Sequence, residues 1–172
     1  FGLGPIGLLI VEALRAAGAS KIYAVELSPE RQAKAEELGA IVVCPEEGET
    51  VVEAIHRLTG GGADVSYEVT GVPVVLGQAL AAVHKAGECM VVSIWEREAS
   101  INPNEFAIQE KSLKGIIAYR HIFPKVLELM EQGYFPADKL VTKKIKLENI
   151  VEEGFVELTQ DKSQIKILVQ PE

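Results

Sequence analysis

Cysteine, histidine and clustered positive charge are all scarce in this 172-residue sequence. The two cysteines, Cys44 and Cys89, stand 45 residues apart and belong to no CxxC pair. That argues against a disulfide framework and a cysteine-built zinc site, and it suits a reducing, cytoplasmic setting. Both lie in apolar stretches and read as small buried hydrophobes. The three histidines, His56, His84 and His121, form no HxxH or HExxH spacing. His56 and His84 fall in predicted helices and read as partly exposed helix residues. His121 comes close after the sixth predicted strand and has no assigned role. No Ser-Tyr-xxx-Lys set is present, because Phe123 stands four residues after Tyr119. The formal charge is −8 with no basic block, which argues against nucleic acid and anionic membrane as partners. No apolar run approaches the roughly 20 residues of a membrane span; the run from Ile6 to Val11 is stopped by Glu12. No leader pattern is read in the sequence, which opens on Phe1 rather than Met.

What is present is a steady alternation of short apolar strands and helices. Pro5 suits the first turn of a helix, and Ile6, Leu9, Ile10, Ala13, Leu14 and Ala17 recur at helical spacing before Gly18. Lys21 to Glu26 reads as a strand. Ser28-Pro29-Glu30-Arg31 is a helix start, with Ser as cap and Gly39 as the stop. Strands are predicted at 40–43, 64–69, 87–94 and 113–118. Helices are predicted at 50–58, 72–83 and 121–132, with a short helical piece at 102–109. This rhythm predicts an α/β fold built on a doubly wound parallel sheet. After Gly133 the rhythm changes to a half-exposed strand at 140–147, an acidic helix at 148–158 and a short strand at 165–169. That tail reads as a segment that docks on another domain.

The chemistry concentrates at the start. Gly2-Leu3-Gly4-Pro5-Ile6-Gly7 is a GxGxxG loop that opens a helix, and Glu26 follows Gly4 by 22 residues at the end of the next strand. Gly2 permits a tight turn, Gly4 a close backbone approach to a pyrophosphate, and Gly7 close packing of helix on sheet. The helix N-terminus offers N–H groups and partial positive charge. Pro5 has no N–H, so Ile6 and Gly7 are the better donors. Glu26 is placed to accept from ribose hydroxyls and to repel a 2′-phosphate, which favours NAD over NADP. Arg31 reads either as a contact to the adenosine side or as a surface helix arginine. Val69-Thr70-Gly71 and Val92-Ser93-Ile94 end two strands, where doubly wound sheets bind ligands. Thr70 suits a polar contact. Ser93 suits one too, or satisfies backbone at a strand end.

The segments GLGPIGLL, YAVELSPERQAKAEELGA, GGGADVSYEVTG and KGIIAYR together resemble the zinc-dependent medium-chain alcohol dehydrogenases, and within them the butanediol and sorbitol dehydrogenase group. The likeness covers essentially the whole chain. It implies a Rossmann-like NAD domain at 1–133 whose first strand is cut to Phe1, and a segment at 134–172 that belongs with a catalytic domain. It implies that Gly2, Gly4, Ile6 and Gly7, with Pro5 among them, hold the pyrophosphate. Glu26 and Arg31 match the ribose acid and the basic residue after it. Val69, Thr70 and Gly71 match the turn near the adenosine side. Val92, Ser93 and Ile94, with Ile116 to Ala118, match the wall beside the nicotinamide. The implied reaction is hydride transfer between NAD and a secondary alcohol or vicinal diol such as 2,3-butanediol, with zinc as Lewis acid. The family's zinc ligands and GHE motif lie upstream of the matching region, so zinc is expected in the parent protein only and this piece alone is expected to be inactive. A homodimer or homotetramer is expected through residues 102–118. Two rivals share the glycine loop: a non-enzymatic NAD(H)-binding regulatory module, and a zinc-independent NADPH quinone or enoyl reductase.

Overall fold

A computed structural model describes residues 1–161 and 163–171. In chain order the elements are α1 (Pro5–Ala16), β1 (Tyr23–Ala24), α2 (Pro29–Glu37), β2 (Ile41–Val42), α3 (Val51–Thr59), β3 (Ala63–Glu68), α4 (Pro73–Ala82) and β4 (Val83–Val91). There follow α5 (Asn104–Ala107), β5 (Ser112–Gly115), α6 (Phe123–Glu131), α7 (Ala137–Leu140), β6 (Val141–Lys146), a helical stretch Leu147–Gln160 ending in α8 (Glu157–Gln160), and β7 (Lys166–Gln170). The chain forms two compact units. One holds Phe1–Gly2, Tyr23–Glu26 and Ile41–Tyr119; the other holds Leu3–Ile22, Leu27–Ala40 and Arg120–Glu172.

The first unit is built on parallel strands. β1 pairs with β2, and β3, β4 and β5 form a three-stranded sheet in that order. Phe1 joins the two sets. Its nitrogen donates to the Tyr67 carbonyl at 2.9 Å, its carbonyl accepts from Val69 N at 3.0 Å, and Gly2 N donates to the Val25 carbonyl at 2.9 Å. The resulting order, β2-β1-Phe1-β3-β4-β5, is that of a doubly wound sheet. The apolar residues supply the reason for the packing. Leu76, Ala79 and Leu80 of α4 bury against Cys89 of β4, and Ala54 and Ile55 of α3 against Val43 and Ala82. The Phe1 ring touches both clusters. Each fully buried Leu or Ile contributes roughly 1.5–3 kcal/mol.

In the second unit α1 buries Leu8 and Val11, together with Glu12, which takes Arg15 at 2.9 Å and the Phe135 N–H at 3.4 Å. β6 and β7 pair in parallel across the intervening helical stretch, with Ile145 and Ile165 buried.

Several elements differ from the sequence reading, each for a local reason. Only Tyr23–Ala24 of the strand at 21–26 joins a ladder, because its partner β2 is two residues long. The helix from Val72 stops at Ala82, and β4 starts at once at Val83. His84 therefore lies in a strand, not a helix. β5 covers Ser112–Gly115 rather than 113–118, although Ile116 N still donates to the Val91 carbonyl at 3.2 Å. The acidic helix at 148–158 is irregular: a 3₁₀ turn, a π-helical run Ile150–Val156, then α8. Gly154 in that run approaches β6 closely; a Cβ there would lie 3.3 Å from Ile145 Cδ1. Cys89 is buried as expected, but Cys44 is exposed, since it follows Val43, whose N–H makes the last bond to β1 through the Ala24 carbonyl.

Candidate functional site

In the first unit the carboxyl ends of the parallel strands carry most of the residues singled out from the sequence. Gly2 sits at φ +90°, a backbone region L side chains rarely adopt. A Cβ there would lie 2.7 Å from Thr70 Cγ2, so the turn out of the Phe1 position needs glycine for both reasons. Because Gly2 bonds to Val25, Glu26 follows directly beside that turn. Val69 bonds to Phe1, and Gly71, at φ +70°, lies so close to the next strand end that a Cβ would stand 3.0 Å from the Ile94 carbonyl oxygen. Gly2, Val69, Thr70, Ser93 and Ile94 are thus brought together, with Val92 bonded back to the Glu68 carbonyl at 2.9 Å. Ile94 is 83% exposed and Ile117 80%.

The hydroxyls have a role the sequence did not disclose. Thr70 Oγ1 donates to Glu68 Oε1 and accepts from Val72 N at 3.1 Å. Ser93 Oγ donates to Glu68 Oε2. Each hydroxyl proton points inward, so what Thr70 and Ser93 offer outward is oxygen lone pairs and backbone. Glu68 was missed because it interrupts an apolar strand and is easily passed over. The available signal was period two: Ser66 and Glu68 share a face, and both are buried. Trp95 was also passed over. It packs on the Leu76–Cys89 cluster, and its buried Nε1 has no hydrogen-bond partner among the described residues.

In the second unit Gly4 is the N-cap of α1, with φ −66° and ψ −172°, Pro5 at the first position, no side-chain cap and no acid in the first turn. A Cβ on Gly4 would meet nothing within 4 Å. Neither backbone strain nor a neighbour among the described residues demands glycine there. Ile6 is half exposed and Gly7 buried. Arg31 lies in the first turn of α2, its N–H 3.5 Å from the Ser28 Oγ cap.

The remaining titratable groups are structural. His56 Nε2 lies 2.8 Å from the Ala81 carbonyl. His84, beside the Lys85 carbonyl and Asp64, is held above its ordinary value of 6.5. Burial pushes the Cys89 thiol up. Among the described residues no group of three or more His, Cys, Asp or Glu is placed to hold a metal ion; the residues present do not fit a zinc centre, and no chemical step is derived through one. No helix among them is long and apolar enough to cross a membrane.

Comparison with known proteins gives this arrangement its context. The zinc-binding dehydrogenase family model matches residues 5–132. The chain is 64% identical over 171 residues to (R,R)-butanediol dehydrogenase of Bacillus subtilis, covering 99% of this chain and 49% of that protein. It is 31% identical to sorbitol dehydrogenase of the same species, over 99% of this chain and 49% of the relative. The crystal structure of 2R,3R-butanediol dehydrogenase from Bacillus subtilis superposes with a TM-score of 0.96 at 63% identity, over 100% of this chain and 50% of that one. The chain spans about half the length of the curated relatives it matches. It belongs to the zinc-binding dehydrogenase family.

Proposed function

We propose that this chain is the NAD-binding part of an oxidoreductase that moves a hydride between NAD and a secondary alcohol or vicinal diol such as 2,3-butanediol. The observation that carries the cofactor half is the glycine at position 4, which leaves open space before an uncapped helix end that neither backbone nor neighbours explain. The 64% identity to a butanediol dehydrogenase supports the substrate class. In this reading Gly2, Gly4, Pro5, Ile6 and Gly7 shape the pyrophosphate site, with the Ile6 and Gly7 N–H groups as donors. Glu26 accepts from the ribose hydroxyls and excludes a 2′-phosphate, and Arg31 faces the adenosine side. Val69, Thr70, Val92, Ser93 and Ile94 border the rest of the cofactor. In this reading the nicotinamide would take the hydride from the carbinol carbon while the hydroxyl proton would pass to solvent, giving ketone, NADH and a released proton. A zinc ion, if the whole protein holds one outside this chain, would supply Lewis acidity to the alcohol oxygen.

Residues 1–133 are read as the dinucleotide-binding domain and 134–172 as a segment that docks on a catalytic domain. A cytoplasmic setting suits the two unpaired cysteines. A homodimer or homotetramer through residues 102–118 suits β5, which pairs on one side only, and Ile108, which is 64% exposed. The test is steady-state oxidation of (2R,3R)-butanediol by the full-length protein with each cofactor. NAD-dependent turnover is expected; turnover with NADPH and a quinone or enoyl substrate instead would overturn the reading.

A further inference from the structure

Glu68 is fully buried, yet its carboxylate is among the most heavily used polar groups of the first unit. Oε1 accepts from Thr70 N at 2.7 Å, Thr70 Oγ1 at 2.5 Å and Gly71 N at 3.1 Å, and Oε2 accepts from Ser93 Oγ. Two of these donors are backbone N–H groups that cannot accept in return. Three of the four donors converge on Oε1 and one reaches Oε2, so the carboxylate serves throughout as acceptor. The bonds reach both ways from the end of β3. One set closes the turn that follows it; the other crosses to the segment after β4. Backbone bonds from Val92 N and Ser93 N to the Glu68 carbonyl lie alongside, at 2.9 and 3.4 Å.

We propose that Glu68 is a positioning residue: its buried carboxylate clasps the Val69–Gly71 turn to Ser93 and thereby fixes the two strand ends that border the cofactor. A core carboxylate is costly to bury, and a purely structural staple at this depth is replaceable by apolar packing. What apolar packing cannot supply is an acceptor for the Thr70 and Gly71 N–H groups while holding both hydroxyl protons inward. The clasp thus sets the outward-facing lone pairs of Thr70 and Ser93 and the tight approach of Gly71 to Ile94. It rests on the NAD reading above.

The test is NADH binding by calorimetry to the full-length protein and its Glu68→Gln variant. The amide keeps the volume but offers an acceptor to one side only. Losing part of a charge-assisted set should raise the Kd for NADH about tenfold, with KM for NAD rising by more than kcat falls. Amide exchange at Thr70 and Gly71 should quicken. Ser93→Ala, which cuts the link to the β4 segment while leaving the turn, serves if the first variant does not fold; it should raise Kd about threefold, and the double variant should be no worse than about twofold beyond Glu68→Gln, because the residues act as one network. Unchanged Kd in a folded Glu68→Gln variant, or fully additive losses, overturns the clasp while the NAD reading stands. If the unaltered protein binds no NADH at all, the NAD reading fails and the proposal with it.

Discussion

Gly2 and Gly4, with only Leu3 between them, do opposite jobs. Gly2 is required by the protein: φ is +90° and a Cβ would collide with Thr70. Gly4 is required by nothing in the protein that surrounds it. Gly2→Ala should therefore cost about 1–3 kcal/mol of stability through strain, read from the denaturant midpoint. Gly4→Ala should shift the midpoint only slightly, because alanine tolerates the observed φ and ψ and restricts the unfolded chain but is a poorer N-cap than glycine. The same variant should weaken NADH binding at least tenfold. A Gly4→Ala protein that binds NADH normally would remove the pyrophosphate assignment. At this scale the sequence was informative where residue type and spacing suffice, as for the turn at Gly2. It was silent on Glu68, because a carboxylate's partners are set by where two separate strand ends meet. Thr70 and Ser93 were read as polar, but which way each hydroxyl proton points depends on that hidden acceptor.

Elements with their own signals were legible. Helix α3 carries Thr50 as cap with Glu53 reaching back, a reciprocal pair at 3.2 and 2.8 Å. Thr50→Ala should cost about 1 kcal/mol, measurable as a shifted unfolding midpoint. The same helix is tied through Arg57 to Glu49, whose carboxyl the guanidinium holds down from 4.5 to about 2. A depressed carboxylate pKa contributes stability that is present above the unfolded value and lost as pH falls through the folded one. The contribution should therefore fade between about pH 4.5 and 2. Unfolding midpoints taken across that window should fall less steeply in Glu49→Gln than in the unaltered protein; equal slopes would show that the pair contributes nothing. Strand lengths were less legible, because a ladder's extent belongs to its neighbours. The strand at 21–26 is apolar enough for six residues but pairs over two, since its partner β2 offers only Ile41–Val42. The π-helical run at Ile150–Val156 carries no periodic signature, and within it Gly154 lies against Ile145.

At the scale of the molecule, the α/β architecture with parallel strands was the most legible feature, and the strands of the first unit pair in parallel. The proposed assembly uses the sheet's outer edge. If β5 and the 102–118 region join two copies, Ile108→Lys should shift the full-length protein to smaller species in sedimentation velocity, because an isologous contact places two new charges near one axis. An unchanged sedimentation coefficient would place the interface elsewhere. The central claim is that this chain holds NAD and discriminates against NADP through Glu26. The most direct measurement is the pair of dissociation constants for NADH and NADPH on the full-length protein, with Glu26 intact and as Glu26→Ala. The account predicts a clear preference for NADH that the substitution erases, chiefly by weakening NADH. An NADPH preference in the unaltered protein, or a preference untouched by Glu26→Ala, would contradict it.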